Sequence, residues 1–138
     1  MISIIDEGLV KKIRALRTQG LPNETGGILL GYYDFNVKAI VIVDVLPEPA
    51  DSISTPTSFE RGVNGTQERV QAIREMTADM VGYIGEWHSH PVGHSAKPSN
   101  DDFYQILFLS LGMSEDGLPA ISLIIGEHDV QILKCEAN

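Results

Sequence analysis

Two short stretches that must end at one point constrain this chain most: His88-Ser89-His90-Pro91 and, after a polar loop, Pro98-Ser99-Asn100-Asp101-Asp102. Along a strand, residues two apart share a face with a repeat of about 6.6 Å. The imidazoles of His88 and His90 can therefore lean toward one ion, each reaching it at about 2.0–2.1 Å. Pro91 ends the strand because it has no N–H to give to a ladder. Ser99 reads as the N-cap of a following helix, with Asp102 in its first turn. A helix start of this kind aims both side chains back toward the strand end. Two imidazoles and a carboxylate suit a catalytic zinc ion, which keeps three protein ligands and one open position for water. Asp102 is the expected third ligand, and Asp101 is its rival. Either half alone is a weak signal, since a single strand histidine is usually structural and Ser-x-x-Asp alone is only a cap. Their joint occurrence is what points to a metal site.

The frame around this motif is that of a small globular protein. A length of 138 residues leads us to expect one domain, 1–138. The 43% hydrophobic content supplies a core without cross-links. The net charge of −9 argues against a nucleic-acid partner. It would suit a basic partner, and solubility alone also accounts for it. The single cysteine, Cys135, excludes an internal disulfide framework and reads as a structural thiol. No apolar run approaches the ~20 residues of a membrane span. The opening Met1-Ile2-Ser3-Ile4-Ile5-Asp6-Glu7 lacks the basic region of a signal peptide. The expectation is a cytoplasmic protein with no membrane association.

Periodicity places the motif in an α+β (α/β layered) fold. Ile5, Leu9, Ile13 and Leu16 predict a helix over 3–19, ended by Gly20. Residues 25–33 read as a strand whose glycines call for a close approach, by substrate or by the metal loop. Gly26 and Gly27 are accordingly candidate substrate-binding positions. A β-branched run predicts a central strand over 38–46, followed by a surface loop over 50–58 and a short strand within 57–62. A second helix is expected over 67–80, with Val70, Ile73, Met76 (or Thr77) and Met80 facing the core. The strand over 83–91 carries Glu86 on the histidine face, as a fourth ligand, as a group orienting a ring or a structural residue, which is preferred, or as a substrate contact. Trp87 faces the opposite side, toward the core. His94 reads as an exposed loop residue. A third helix over 103–113 packs Phe103, Ile106, Leu107, Leu109 and Ser110 on the sheet, and strands 119–126 and 130–134 form a terminal hairpin turning at His128-Asp129.

With Glu24 in Glu24-Thr25-Gly26-Gly27-Ile28-Leu29-Leu30-Gly31, the order Glu…His88-Ser89-His90-Pro91…Ser99-x-x-Asp102 resembles the JAB/MPN domain carrying the JAMM metalloprotease motif. The family motif places seven residues between the second histidine and the serine, whereas eight stand between His90 and Ser99. Strict counting would select Pro98 and Asp101, but Pro98 has no hydroxyl, and one extra loop residue costs little. The resemblance implies a cytidine-deaminase-like mixed sheet flanked by helices. It implies one Zn2+ per chain on His88, His90 and Asp102, with Glu24 handling the water's proton and Ser99 stabilising the tetrahedral intermediate. It further implies hydrolysis of an amide after the C-terminal tail of a ubiquitin-like protein, which would be the partner. Strand addition beside 25–33 is the expected docking mode for such a tail. Phe59-x-Arg61-Gly62 and Gly85-Glu86-Trp87-His88 are similar to a bacterial subset of the family found with ubiquitin-like conjugation systems, including the deconjugating peptidase of antiphage operons. A peptidase maturing a small sulfur-carrier-like protein, and a catalytically silent MPN scaffold, are the alternative functions.

Overall fold

The computed structural model describes residues 1–136. In chain order the elements are β1 (Ile2–Ile5), α1 (Glu7–Gly20), β2 (Gly26–Asp34), β3 (Ala39–Val45), β4 (Ile53–Thr55), β5 (Ser58–Glu60), α2 (Thr66–Met76), β6 (Gly82–Ser89), α3 (Asn100–Ser114), β7 (Ala120–Ile125) and β8 (Val130–Cys135). Six strands form one mixed sheet in the order β1-β3-β2-β6-β7-β8, and β4 and β5 form a separate two-stranded ribbon. β1 runs parallel to β3 and β6 parallel to β7, while the other neighbours are antiparallel. The expected layering of helices on a mixed sheet is therefore what the chain adopts.

β2 and β6 are the central pair of the sheet, flanked by β3 and β7. One face presents Leu29, Ile40, Ile42, Trp87, Ile121, Leu123 and Ile125 to Leu9 and Ile13 of α1. α1 is held at its start by Asp6, whose carboxylate accepts from the Gly8 N–H at 2.9 Å. The other face presents Ile28 and Leu30, with Leu46, to Val70 and Ile73 of α2. On the same face α3 lays Ile106 and Ser110 down over β7 and β8, where both are buried.

Four details depart from expectation. Residues 2–5 are a strand rather than the first turns of a helix. Alternating Ile2 and Ile4 pair beside β3, and Asp6 starts the helix two residues later. The short ribbon has a second strand, β4, within the stretch read as loop. α2 ends at Met76, so Met76 and Met80 are exposed rather than core, being 81% and 65% accessible. On α3, Phe103 and Leu107 face outward with Tyr104, Phe108 and Leu111. Asp102, Ile106 and Ser110 are the buried residues of α3, and Leu109 is half-buried beside them.

Candidate active site

The site forms where β6 ends and α3 begins. Ser99 caps α3 through its side-chain oxygen, which accepts from the Asp102 N–H at 3.1 Å, and the Asp102 carboxylate accepts in return from the Ser99 N–H at 2.8 Å. This reciprocal capping box needs the Ser-x-x-Asp spacing. It fixes Asp102 in the first turn, where the helix dipole favours negative charge. Asp102 then faces both histidines: His88 Nε2 lies 2.8 Å from Oδ1, and His90 Nε2 lies 2.8 Å from Oδ2. The side chains of His88, His90 and Asp102 are 16%, 11% and 8% exposed. Asp101, the rival ligand, is exposed on the cleft wall.

The electrostatics of this cluster are compatible with a bound cation. The Ser95 carbonyl lies 2.7 Å from His90 Nδ1 and can only accept, so that nitrogen carries a proton and Nε2 is the atom left to face Asp102. The hydrogen bond to Asp102 raises the His90 pKa, with burial opposing. Burial alone would raise the Asp102 pKa, but the two imidazoles and the Ser99 N–H outweigh it and hold the carboxyl well below the usual range. Asp102 is thus ionised. His88 Nε2 is buried and has no aligned hydrogen-bond partner among the described residues, although a carboxylate oxygen is close by. A nitrogen lone pair facing an anion at that distance is favourable only with a proton or a metal ion between them. The three ligand atoms lie within 4.8 Å of one another, a group able to hold a divalent metal ion.

Neighbouring segments hold the cluster in place. The His90 N–H donates to Ile125 O at 3.0 Å, extending the parallel β6–β7 pairing beyond the strand end. Loop 92–97 is fastened to the β7–β8 turn by the Glu127 N–H to His94 O at 3.0 Å and by the Ala96 N–H to Asp129 Oδ1 at 2.8 Å. The Ser95 carbonyl is therefore a fixed partner for His90, and the extra loop residue is absorbed without disturbing the capping box. On the far side, Ser89 Oγ accepts from the Thr25 N–H at 2.8 Å, and the Ser89 N–H donates to Thr25 O at the same distance. Glu24, next to Thr25, thereby lines the same cleft as His88, His90, Ser99 and Asp102. Partial burial raises the Glu24 pKa, and the charges of His88 and His90 pull it back.

Glu86 lies on the histidine face, but its carboxylate pairs with Arg61 Nε and receives the Tyr83 hydroxyl at 3.4 Å. It therefore orients neither imidazole. Gly26 and Gly27 are buried, and the close approach that requires glycine comes from inside the fold. A Cβ on Gly27 would stand 2.1 Å from Leu46 O, and one on Gly26 would stand 2.4 Å from Trp87 O and 2.7 Å from the Phe59 ring. Trp87 is core as expected, and its indole N–H donates to Leu46 O at 2.9 Å. Strand addition beside β2 is ruled out along most of its length, because β3 and β6 occupy its two edges. Sequence reasoning missed the β4–β5 ribbon as a wall of the cleft, where Thr57, Ser58 and Phe59 line it. Phe59 was the available signal, a lone aromatic in a Ser/Thr stretch. His94 is exposed, yet it lines the cleft with Lys97. A groove bounded by Phe59, Arg61, Tyr104 and Phe108 leads away from His88 along α3.

A family model described as prokaryotic homologs of the JAB domain matches residues 6–134. A protein of Enterobacter hormaechei subsp. hoffmannii named CD-NTase/cGAS isopeptidase is 39% identical over 104 residues, covering 75% of this chain and 56% of the relative. The chain thus spans little more than half the length of that relative. An Escherichia coli protein of the same name is 26% identical over 136 residues, covering 95% of this chain and 80% of the relative. The solution structure of a protein from Desulfitobacterium hafniense shares the fold, with a TM-score of 0.60 at 22% identity over 97% of this chain and 82% of that one. A match that runs from α1 through β8 and takes in every segment around the cleft establishes that the chain belongs to the prokaryotic homologs of the JAB domain.

Proposed function

We propose that this chain is a zinc-dependent isopeptidase that cuts the amide bond after the C-terminal tail of a ubiquitin-like protein. The observation that carries the reading is the meeting of His88, His90 and Asp102 in one cleft with Glu24 and Ser99. The isopeptidase names of two relatives support the reaction class. His88 Nε2, His90 Nε2 and an Asp102 oxygen would hold one Zn2+ per chain. When bound, the ion supplies Lewis acidity and lowers the pKa of a bound water.

The protein's own groups carry the rest. Glu24 accepts a proton from the attacking water as the water oxygen bonds to the amide carbon. Its partial burial and raised pKa keep it able to release that proton again. As the C–N bond breaks, Glu24 passes the proton to the nitrogen, so the products are a tail carboxylate and a free amine. Ser99 Oγ uses a lone pair on the Asp102 N–H and keeps its own O–H to donate to the developing oxyanion. Donors of this kind are worth about 2.7–4 kcal/mol in the transition state.

The substrate tail would lie in the groove between Phe59 and the Tyr104–Phe108 face of α3, which opens onto His88. Exposed Tyr104, Leu107 and Phe108 offer apolar contact to the folded body behind the tail. The setting would be a cytoplasmic, antiphage-type conjugation system, with the whole sheet acting as one catalytic domain. Among the described residues no helix is long and apolar enough to cross a membrane. The test is incubation of the zinc-loaded protein with a panel of ubiquitin-like domains fused through their tails to a reporter, with and without chelator. Chelator-sensitive cleavage directly after one tail is expected. Absence of cleavage across the panel, with one zinc bound per chain, would overturn the reading.

A further inference from the structure

Glu24 has no side-chain hydrogen bond among the described residues, so the direction of its carboxylate depends on how its backbone is held. On one side the Thr25–Ser89 exchange locks the chain that follows it. On the other, the Glu24 N–H donates to Thr55 O at 2.9 Å, which ties it to β4. A two-stranded ribbon of three residue pairs is marginal by itself. Its grip on Glu24 must come from what fastens it to the body of the protein.

Glu48 sits between Pro47 and Pro49 after β3 and is half-buried. Both of its oxygens are engaged. Oε1 accepts from Thr25 Oγ1 at 3.1 Å and Oε2 accepts from Ser54 Oγ at 2.7 Å. Thr25 follows Glu24, and Ser54 precedes Thr55. One carboxylate therefore joins the two chain segments whose backbone bond fixes Glu24. We propose that Glu48 is a positioning residue: by bridging Thr25 and Ser54 it holds β4 against the start of β2 and thereby aims Glu24 into the cleft. The catalytic purpose of this bridge rests on the reading of Glu24 as proton carrier. Beyond β5, Arg61 pairs with Glu86 of the main sheet, while Asp51, before β4, accepts from the Val63 and Asn64 N–H groups and closes the base of the ribbon on itself. Glu48 is the anchor on the Glu24 side.

The experiment compares zinc-loaded wild type, Glu48→Ala, Glu48→Gln and Ser54→Ala. Glutamine keeps an acceptor for Thr25, and its amide can donate to the Ser54 hydroxyl, which can reverse its role. Misplacement of a reacting group by an ångström can cost about a hundredfold in rate. Glu48→Ala is accordingly expected to lower kcat by about tenfold to a hundredfold, with bound zinc unchanged and any rise in KM, through the β5 wall that pairs with β4, smaller than the fall in kcat. Glu48→Gln should recover most of the loss, and Ser54→Ala should fall between. Backbone hydrogen exchange at the Glu24 amide, read by NMR, should accelerate in Glu48→Ala and Ser54→Ala. Unchanged exchange at Glu24, or a loss confined to KM, would overturn the assignment. If Glu48→Ala does not fold, Ser54→Ala carries the same two readouts. If wild type cleaves nothing, the hydrolase reading fails by itself, and exchange at Glu24 still upholds or overturns the tether.

Discussion

The candidate metal-ligand half of the cleft comes from one stretch of chain, His88 to Asp102, whereas Glu24 reaches it from the start of β2 and is held by residues distant in sequence. The first half is set by short-range devices. A strand end presents two imidazoles, a capping box fixes one carboxylate, and a loop carbonyl orients one ring. The second half depends on Ser89, Thr55 and Glu48, each contributed by a different segment. The difference predicts two separable kinds of failure. Damage to the first half should release the metal, and damage to the second should leave the metal bound and slow the reaction.

The largest effect belongs to Asp102. In Asp102→Asn the side chain keeps an oxygen for the Ser99 N–H but loses the charge that balances a cation. Activity should fall to background, zinc content should drop well below one per chain, and the circular dichroism of the fold should persist. Retained stoichiometric zinc in this variant would break the comparison, because the capping carboxylate would then not be a ligand. Next comes Glu24→Gln, which keeps shape and removes the basic group. A loss of roughly a hundredfold to ten-thousandfold in kcat is expected for a lost general base, with zinc retained. Loss of zinc in this variant would show that the two halves are not separable.

Ser99→Ala touches both halves, and its two consequences can be read apart. Loss of the cap should cost about 1 kcal/mol of stability, seen in denaturant unfolding. Loss of the proposed oxyanion donor should lower kcat by about a hundredfold to a thousandfold. Ser99→Asp restores a cap acceptor and, ionised, has no hydrogen to donate. It should recover the stability and not the rate. Recovery of both would reduce Ser99 to a cap.

The local half was legible in the sequence because its signals are local: i, i+2 alternation, a strand-ending proline, and a capping box three residues wide. β3 was legible because Ile40 to Val43 form an unbroken β-branched run. Glu24 stood out only through its family motif, since a carboxylate before a strand has no pattern of its own. Glu48 had no signal at all, as its two partners lie 23 residues before it and 6 after it. The glycines showed that something approaches β2 closely, but not what. Leu46 O and Trp87 supply the approach from inside. Met80 looked like core because helical spacing was extended past the point where α2 stops, and of the two choices at the third stripe position Thr77, not Met76, is half-buried. Residues 2–5 were absorbed into a helix because Ile5 continues the spacing of Leu9 and Ile13, while the pairing that makes them a strand lies with Ala39 to Ile42.

The smallest expected effect sharpens the comparison most cheaply. Strict motif counting would make Asp101 the ligand, and the loop carries one residue more than that count allows. The capping box decides the register physically, since the N3 position of α3 is Asp102 and its carboxylate returns to the Ser99 N–H. Asp101, one residue earlier, projects from the exposed side of the first turn. Its contribution there is the favourable interaction of a negative charge with the helix N-terminus, about 0.3–1 kcal/mol. Asp101→Ala should therefore lower stability by no more than that, keep one zinc per chain, and change kcat by less than about threefold, a shift below ~0.7 kcal/mol in barrier. Loss of zinc from Asp101→Ala alongside its retention in Asp102→Asn would reverse the ligand assignment. It would also mean that the helix start rotates by one residue when the metal binds.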